Sequence, residues 1–388
     1  MMNLDNQNNS SAIIHKFTGR IPELDGLRGL AVVFILIYHF VEWAKYDGDN
    51  SLIHFLFSAS RLGATGVDMF FVLSGFLICG ILLDHRDSKN YFKVFYIRRT
   101  LRLFPLYYAL LILFCLLVFA RTFGIMDLPD WIFTFKYPIW SYFTYTQNLF
   151  FSYYNSFGAP PLAPTWSLAV EEQFYLILPL IVRFFPRRYL VPLFFAIIIS
   201  CLFFRIVISN FDPTNVLALH MLTITRTDSL LMGALTAIAV RSSSASDFIV
   251  RHRRKLKFLF PLLVGLLFVL MFYYFASLKI VFYLIVALFY TALMIFILVA
   301  REEGVVRHFF RNRVLIELGA ISYFIYLTHM FVLNSIHWFL GINGKIEFGL
   351  MWFFLISIVS LICFSFAKLS QYFFEAPMIK FGHAFRYQ

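Results

Sequence analysis

Charge is what this chain has least of. Only 14% of its 388 residues are Asp, Glu, Lys or Arg, against 61% hydrophobic and 20% aromatic. A soluble domain carries about 25% charged residues, so a water-bathed globular fold is excluded and a lipid-solvated chain is expected. Cysteine is scarce too. Cys79, Cys115, Cys201 and Cys363 all lie in apolar runs without metal-ligand spacing, which argues against a disulfide framework or a thiolate metal site. The opening MMNLDNQNNSSAIIHKFTGR has neither an apolar core nor a small-residue cleavage site. It does not read as a cleaved signal, so the first span must direct insertion. Also missing are a zinc or two-metal spacing of His, Asp and Glu, and a glycine-rich nucleotide loop. FVLSGF, around Ser74, lacks the first glycine of a G-x-S-x-G elbow. No internal repeat or appended soluble domain is visible.

What the chain has is long apolar runs. A membrane crossing needs about 20 consecutive, mostly apolar residues. They fall at roughly 27–44, 66–84, 102–120, 166–185, 189–209, 222–240, 257–276, 278–300, 315–340 and 348–374. An eleventh candidate, YPIWSYFTYTQNLFFSYY near 138–154, is rich in Tyr, Ser, Thr and Asn and suits the interface better than the core. Charge bias arbitrates. With ten spans and the N-terminus inside, the inner segments carry 24 of the 33 Lys and Arg. The outer loops carry six: Lys45, Arg61, Arg121, Lys136, Lys279 and Lys345. Such a distribution follows the positive-inside rule. Counting 138–154 as a crossing would put RFFPRR and RHRRKLK outside, so that segment is read as re-entrant or interfacial. The expected fold is an all-α polytopic membrane protein of about ten transmembrane helices, N-in and C-in. A polar cytoplasmic N-terminus (1–26), a membrane domain (27–375) and a cytoplasmic tail (376–388) complete it. RSSSASDF (241–248) reads as a flexible connector. The net charge of +12 raises nucleic acid as a partner, but Arg251, Arg253, Arg254 and Lys255 are better placed to meet anionic lipid headgroups.

Ionisable residues inside such spans are expensive and usually functional. Arg28 and His39 share the first span, and eleven residues of helix separate them by roughly 16 Å. By depth, an outer layer holds His39, Asp68, Glu171, Glu172, Arg226, Asp228 and His329. An inner layer holds Arg28 with Arg98, Arg99 and Arg102 of YIRRTLRLFP. Arginines at an inner boundary also serve by snorkelling or by fixing topology. Glu171 and Glu172 with Arg226 and Asp228 would equally make an ion-pair network between spans four and six. Carboxylates and a histidine in one layer are still the raw material of a general base and its orienting partner.

Seven stretches in order, over about residues 20–378, resemble the acyltransferase-3 family of membrane acyltransferases. They are LDGLRGLAVVFILIYHF, GVDMFFVLSGFLI, RRTLRLFPLYY, PTWSLAVEEQFYLILP, TRTDSLLMGALTA, ISYFIYLTH and FFEAPM. The resemblance implies a ten-helix enzyme of the bacterial cytoplasmic membrane. Such an enzyme moves an acyl group, commonly acetyl from acetyl-CoA, to a hydroxyl of a glycan or other product. It makes His39 the catalytic histidine with Arg28 its companion, and Arg99 and Arg102 the Arg-x-x-Arg pair that handles the donor, beside Arg98. Glu171 becomes the acid of E-x-x-F-Y, completed by Phe174 and Tyr175. Asp68, Glu172, Arg226, Asp228, Tyr326 and His329 are expected in supporting or acceptor-side roles. The chain ends at Gln388 soon after the last motif, as in members without a fused serine-hydrolase-like domain.

The chemistry of the donor agrees with that assignment. Coenzyme A has a polyanionic head suited to arginine forks and a narrow arm able to thread between helices. A neutral imidazole at His39 would deprotonate the acceptor hydroxyl, with Glu171 orienting the ring as the third member of a triad does. An acyl-histidine relay is an equal alternative. The leading expectation is O-acetylation of an extracytoplasmic or lipid-linked glycan. Acylation of a small metabolite, use of succinyl-CoA, and a transporter or flippase are the competitors. The absence of an inverted repeat and of paired interrupted spans weighs against transport. No metal is expected.

Overall fold

The computed structural model describes residues 20–252, 255, 262, 264–266, 279–300, 304–342 and 344–388. Among the described residues nine long helices carry the architecture, and the counts below are of those residues: α1 Pro22–Glu42, α2 Gly66–Asp84, α3 Tyr91–Thr122, α4 Thr165–Phe184, α5 Arg187–Phe211, α6 Thr223–Arg241, α7 Lys279–Leu298, α8 Arg313–Phe339 and α9 Leu350–Ser370. Each matches an apolar run expected from the sequence. Most of the run at 257–276, all but 262 and 264–266, and the first nineteen residues lie outside the described residues.

Seven helical stretches are long and apolar enough to cross a membrane. The two long helices outside that set are α4 and α6, which have spanning length but carry Glu171, Glu172 and Arg183 or Arg226, Asp228 and Arg241. Their polarity follows from their position. Both bury about half their residues or more inside the bundle, where a neighbouring helix replaces lipid as solvent.

Helix α1 starts as a helix should, with Pro22 at its first position and Glu23 and Asp25 in its first turn. Glu23 is buried and accepts ion pairs from Arg307 and, at 2.8 Å, from Arg311, anchoring that end to the short helix Val305–Phe310. The most intimate packing joins α2 to α6 and α1 to α8. Glycine makes both possible. A Cβ on Gly75 would come within 1.8 Å of the Leu230 carbonyl oxygen, and one on Gly29 within 2.0 Å of the Leu315 carbonyl. Small residues allow backbones this close, which is how helices associate without a hydrophobic driving force.

The 138–154 region forms two short helices, Ile139–Phe143 and Gln147–Tyr153, neither able to cross a bilayer. Buried amides pin it. Gln147 donates to the Thr165 carbonyl (2.9 Å) and Asn148 to that of Met221 (3.1 Å), while Gln173 reaches back to the Tyr145 carbonyl (2.8 Å).

Several details differ from expectation. A two-residue parallel ladder pairs Ala44–Lys45 with Ile346–Glu347, tying the far end of α1 to the loop before α9. The stretch read as a connector is helical over Ser243–Arg251. Helix α9 runs through a wide turn at Gln371–Glu375 into a further helix, Ala376–Ala384, so residues 376–388 are a docked element rather than a free tail.

Candidate active site

Five helices enclose a cavity of about 270 Å³. Helix α1 contributes Asp25 and Arg28, α2 Ser74, α3 Arg99 and Arg102, α4 Ser167, Glu171 and Tyr175, and α8 Ser322, Tyr323 and Tyr326. Arg99 and Arg102 sit one helical turn apart on the same face of α3. Three of the four arginines of the expected inner layer, Arg28, Arg99 and Arg102, therefore converge on one chamber. Arg28 is held by Asp25 (3.1 Å), which also binds Arg20 (2.7 Å). The Arg99 guanidinium lies 5.6 Å from the centre of the Tyr175 ring, within cation–π range. Tyr175 in turn shares a short hydroxyl contact with Ser74.

Arg98 is not part of this chamber. Its Nε and Nη2 both donate to the Phe385 carbonyl (3.0 and 2.6 Å). One residue before Arg99, it is turned about 100° around the helix, toward the docked segment.

Glu171 stands elsewhere than expected. It faces the hydroxyls of Ser74 and Tyr175 with Arg99 and Arg102 nearby, and no hydrogen bond joins it to His39. The expectation that it orients the His39 imidazole is therefore corrected: it is a carboxylate of the arginine chamber. Glu172 points to another side, where its Oε1 is buried without a hydrogen-bond partner.

His39 has a different neighbour. Its ring and that of His329 are 4.9 Å apart in an edge-to-face arrangement. The Nδ1 of His39 lies 3.1 Å from the Ile35 carbonyl, and that of His329 lies 2.8 Å from the Tyr326 carbonyl. A carbonyl oxygen can only accept, so Nδ1 carries the proton in both neutral rings and Nε2 is the bare lone pair. His329 is fully buried, and its Nε2 has no partner. His39 is half-buried. Tyr326 stands between this pair and the cavity. Its ring centre is 6.0 Å from that of His329, and its hydroxyl meets Ser167 Oγ at 2.5 Å. Ser167 and Tyr323 were not singled out in the sequence; their signal is a small or hydroxylated residue on the same helix face as a motif residue.

Asp68, Arg226 and Asp228 form a separate cluster. Arg226 donates to Asp68 (2.8 Å), which also accepts from Ser229 (2.9 Å), while Asp228 pairs with the buried Arg205. These pairs join α6 to α2 and α5. The expected network linking them to Glu171 and Glu172 is not formed. Arg226 also lies 4.0 Å from the centre of the Tyr283 ring. Among the described residues no group of three or more His, Cys, Asp or Glu is arranged to hold a metal.

Fold and site together define a multi-pass membrane protein with a cationic chamber at one end of its bundle and a histidine pair toward the other. The acyltransferase-3 family model, described as an acyltransferase domain, matches residues 21–369, and the chain belongs to that family. It is 35% identical over 230 residues to the O-acetyltransferase OatA of Staphylococcus aureus (strain NCTC 8325 / PS 47), covering 56% of this chain and 34% of the relative. It is 30% identical over 385 residues to a protein of S. aureus strain COL provisionally named an O-acetyltransferase, covering 93% of this chain and 58% of the relative. The chain thus spans between about a third and three-fifths of the length of these relatives. No solved structure matches it at a significant level.

Proposed function

We propose that this protein is a membrane O-acyltransferase that moves an acyl group, acetyl in the leading case, from cytoplasmic acyl-CoA to a hydroxyl of an extracytoplasmic or lipid-linked glycan. The observation that carries this reading is the single chamber that gathers Arg28, Arg99 and Arg102 and ends at Tyr326, beside the two histidines. The donor's phosphorylated head is held at the arginine end, where guanidinium forks pair with phosphate oxygens. Its narrow arm extends past Ser74 and Tyr175 toward Tyr326. At the far end the Nε2 lone pair of His39 takes the proton of the acceptor hydroxyl. The new C–O ester bond forms as the C–S thioester bond breaks, and the thiolate leaving group is protonated to the free thiol. Glu171 balances the charge of Arg99 and Arg102 rather than orienting the base. The relatives' names, both O-acetyltransferases, favour an acetyl donor and an oxygen acceptor.

The test is acetyl transfer to cell-envelope glycan by purified protein in proteoliposomes, measured together with acetyl-CoA binding. Acetyl-CoA-dependent label in the glycan, lost in His39→Ala, is expected. Binding of acetyl-CoA that is indifferent to Arg99→Ala and Arg102→Ala would overturn the donor assignment.

A further inference from the structure

Residues 376–388 are bound to the rest of the chain more firmly than a surface tail requires. The Phe385 carbonyl accepts both donors from Arg98. Asn90 donates to the Arg386 carbonyl (2.9 Å) and accepts from the Gln388 amide (3.0 Å), while the Lys89 amide donates to the Gln388 carbonyl (2.7 Å). The Tyr387 ring stacks on His85 with centres 3.9 Å apart and planes 6° from parallel, and Arg98 lies 5.2 Å from its centre.

This docking encloses a second cavity, of about 110 Å³. Its polar lining is Arg98, Arg99, Arg102, His383 and Tyr387, without a carboxylate. Arg99 and Arg102 also line the main chamber, so the two arginines stand between two adjoining spaces. Among the described residues Arg102 makes no direct hydrogen bond or ion pair, and Arg99 stacks on Tyr175, with Glu171 near both arginines. Asp84, at the end of α2 nearby, is already taken up by Arg241 through two contacts of 2.7 Å. A cavity walled by guanidinium groups with unused donors, and with no carboxylate in its own lining, is suited to an anion from outside.

The geometry points to this second cavity as the subsite for the phosphates of a nucleotide-headed acyl thioester, with His383 and Tyr387 of the docked segment as binding residues. The arm of that donor passes between Arg99 and Arg102 into the main chamber. The inference rests on the donor reading above and extends it. The residues past the last long helix then belong to the donor site, and the docked segment forms its outer wall. A phosphate could also come from a lipid headgroup, and the experiment separates the two sources.

Three proteins are compared with wild type: His383→Asp, His383→Lys and Arg99→Ala. Each is assayed with acetyl-CoA and with acetyl-pantetheine, a thioester lacking the phosphorylated head. His383→Asp should raise KM for acetyl-CoA tenfold or more with kcat retained, and should weaken competition by adenosine 3′,5′-bisphosphate. His383→Lys should stay near wild type. Turnover of acetyl-pantetheine should be the same in both variants, which also shows that they are folded. If Arg99→Ala raises KM for acetyl-CoA while His383→Asp does not, the subsite proposal fails and the donor reading stands. Equal losses with both donors in His383→Asp would mean a structural role and overturn the proposal. Adenosine 3′,5′-bisphosphate that competes with neither donor in wild type would leave the cavity to a lipid headgroup and overturn it as well. If neither Arg99→Ala nor His383→Asp alters the use of acetyl-CoA, the donor reading itself fails.

Discussion

The imidazoles of His39 and His329 meet edge to face with centres 4.9 Å apart, each with Nδ1 committed to a main-chain carbonyl of its own helix. Two cationic rings that close inside a bundle would repel strongly, so at most one of the two carries a charge. One Nε2 lone pair then remains free, and His39 is the half-buried member of the pair while His329 is fully buried.

His39→Gln keeps the ring's hydrogen-bonding capacity roughly but has no useful basicity, so transfer should fall to background while acetyl-CoA binding persists. His329→Ala should reduce kcat without abolishing it. Robust turnover by His39→Gln would remove the general-base role. A dead His329→Ala beside an active His39→Ala would transfer that role to the other ring.

Arg99 and Arg102 face the same space with few competing partners, so each should matter for donor affinity. Removing one charge-assisted phosphate contact should cost roughly 1.5–3 kcal/mol, a tenfold or larger rise in Kd for acetyl-CoA by titration calorimetry. Arg98→Ala should behave differently. Its guanidinium holds the Phe385 carbonyl, so its loss should first loosen the docked segment, seen as faster amide exchange at residues 385–388. Unchanged exchange at residues 385–388 in Arg98→Ala would contradict this anchoring role.

Sidedness follows from the same frame. Cysteine at Asp127, in the loop after α3, and at Ser244, after α6, should label from opposite faces of the membrane in intact cells. The native cysteines are replaced first. Arg241, at the end of α6, pairs with Asp84 at the end of the bundle that holds the arginine chamber, so Ser244 should be the protected site. Labelling of Ser244 from outside would invert the arrangement and put the donor site in the wrong compartment.

Much of this was readable in the sequence, for definite reasons. Apolar runs of about 20 residues marked the long helices. Arg28, Arg99 and Arg102 were placed in one layer because helical rise converts sequence position to depth. What depth along a helix leaves open is rotation around it. Arg98 and Arg99 share a depth, yet only Arg99 reaches the main chamber. Glu171 was assigned to the outer layer because it lies near the start of its apolar run. Yet α4 begins at Thr165, so Glu171 is six residues in, roughly 9 Å along the helix, at the level of Tyr175 and Arg99. Partner choice was equally hidden. Asp68 lies 158 positions from Arg226, and only the close α2–α6 packing allowed by Gly75 and Gly233 brings them together.

That last pair gives the stability prediction. Asp68 and Arg226 are both buried, and the carboxylate also accepts from Ser229. Removing one member leaves a charge buried without its partner, which costs about 3–5 kcal/mol. Asp68→Ala should therefore lower the thermal midpoint of the detergent-solubilised protein by many degrees and cut the yield of monodisperse material. Asp68→Asn retains an acceptor for Ser229 and should fall between. The double variant Asp68→Ala/Arg226→Met removes the orphaned charge along with its partner, so it should be more stable than Asp68→Ala alone. This non-additivity is what residues in direct contact show. Enzyme that does fold should keep its KM for acetyl-CoA, since this cluster is not among the residues lining the donor chamber. Additive losses in the double variant would mean that the two residues do not act as a pair, and a large change in KM with an unchanged midpoint would move them from scaffold to substrate site.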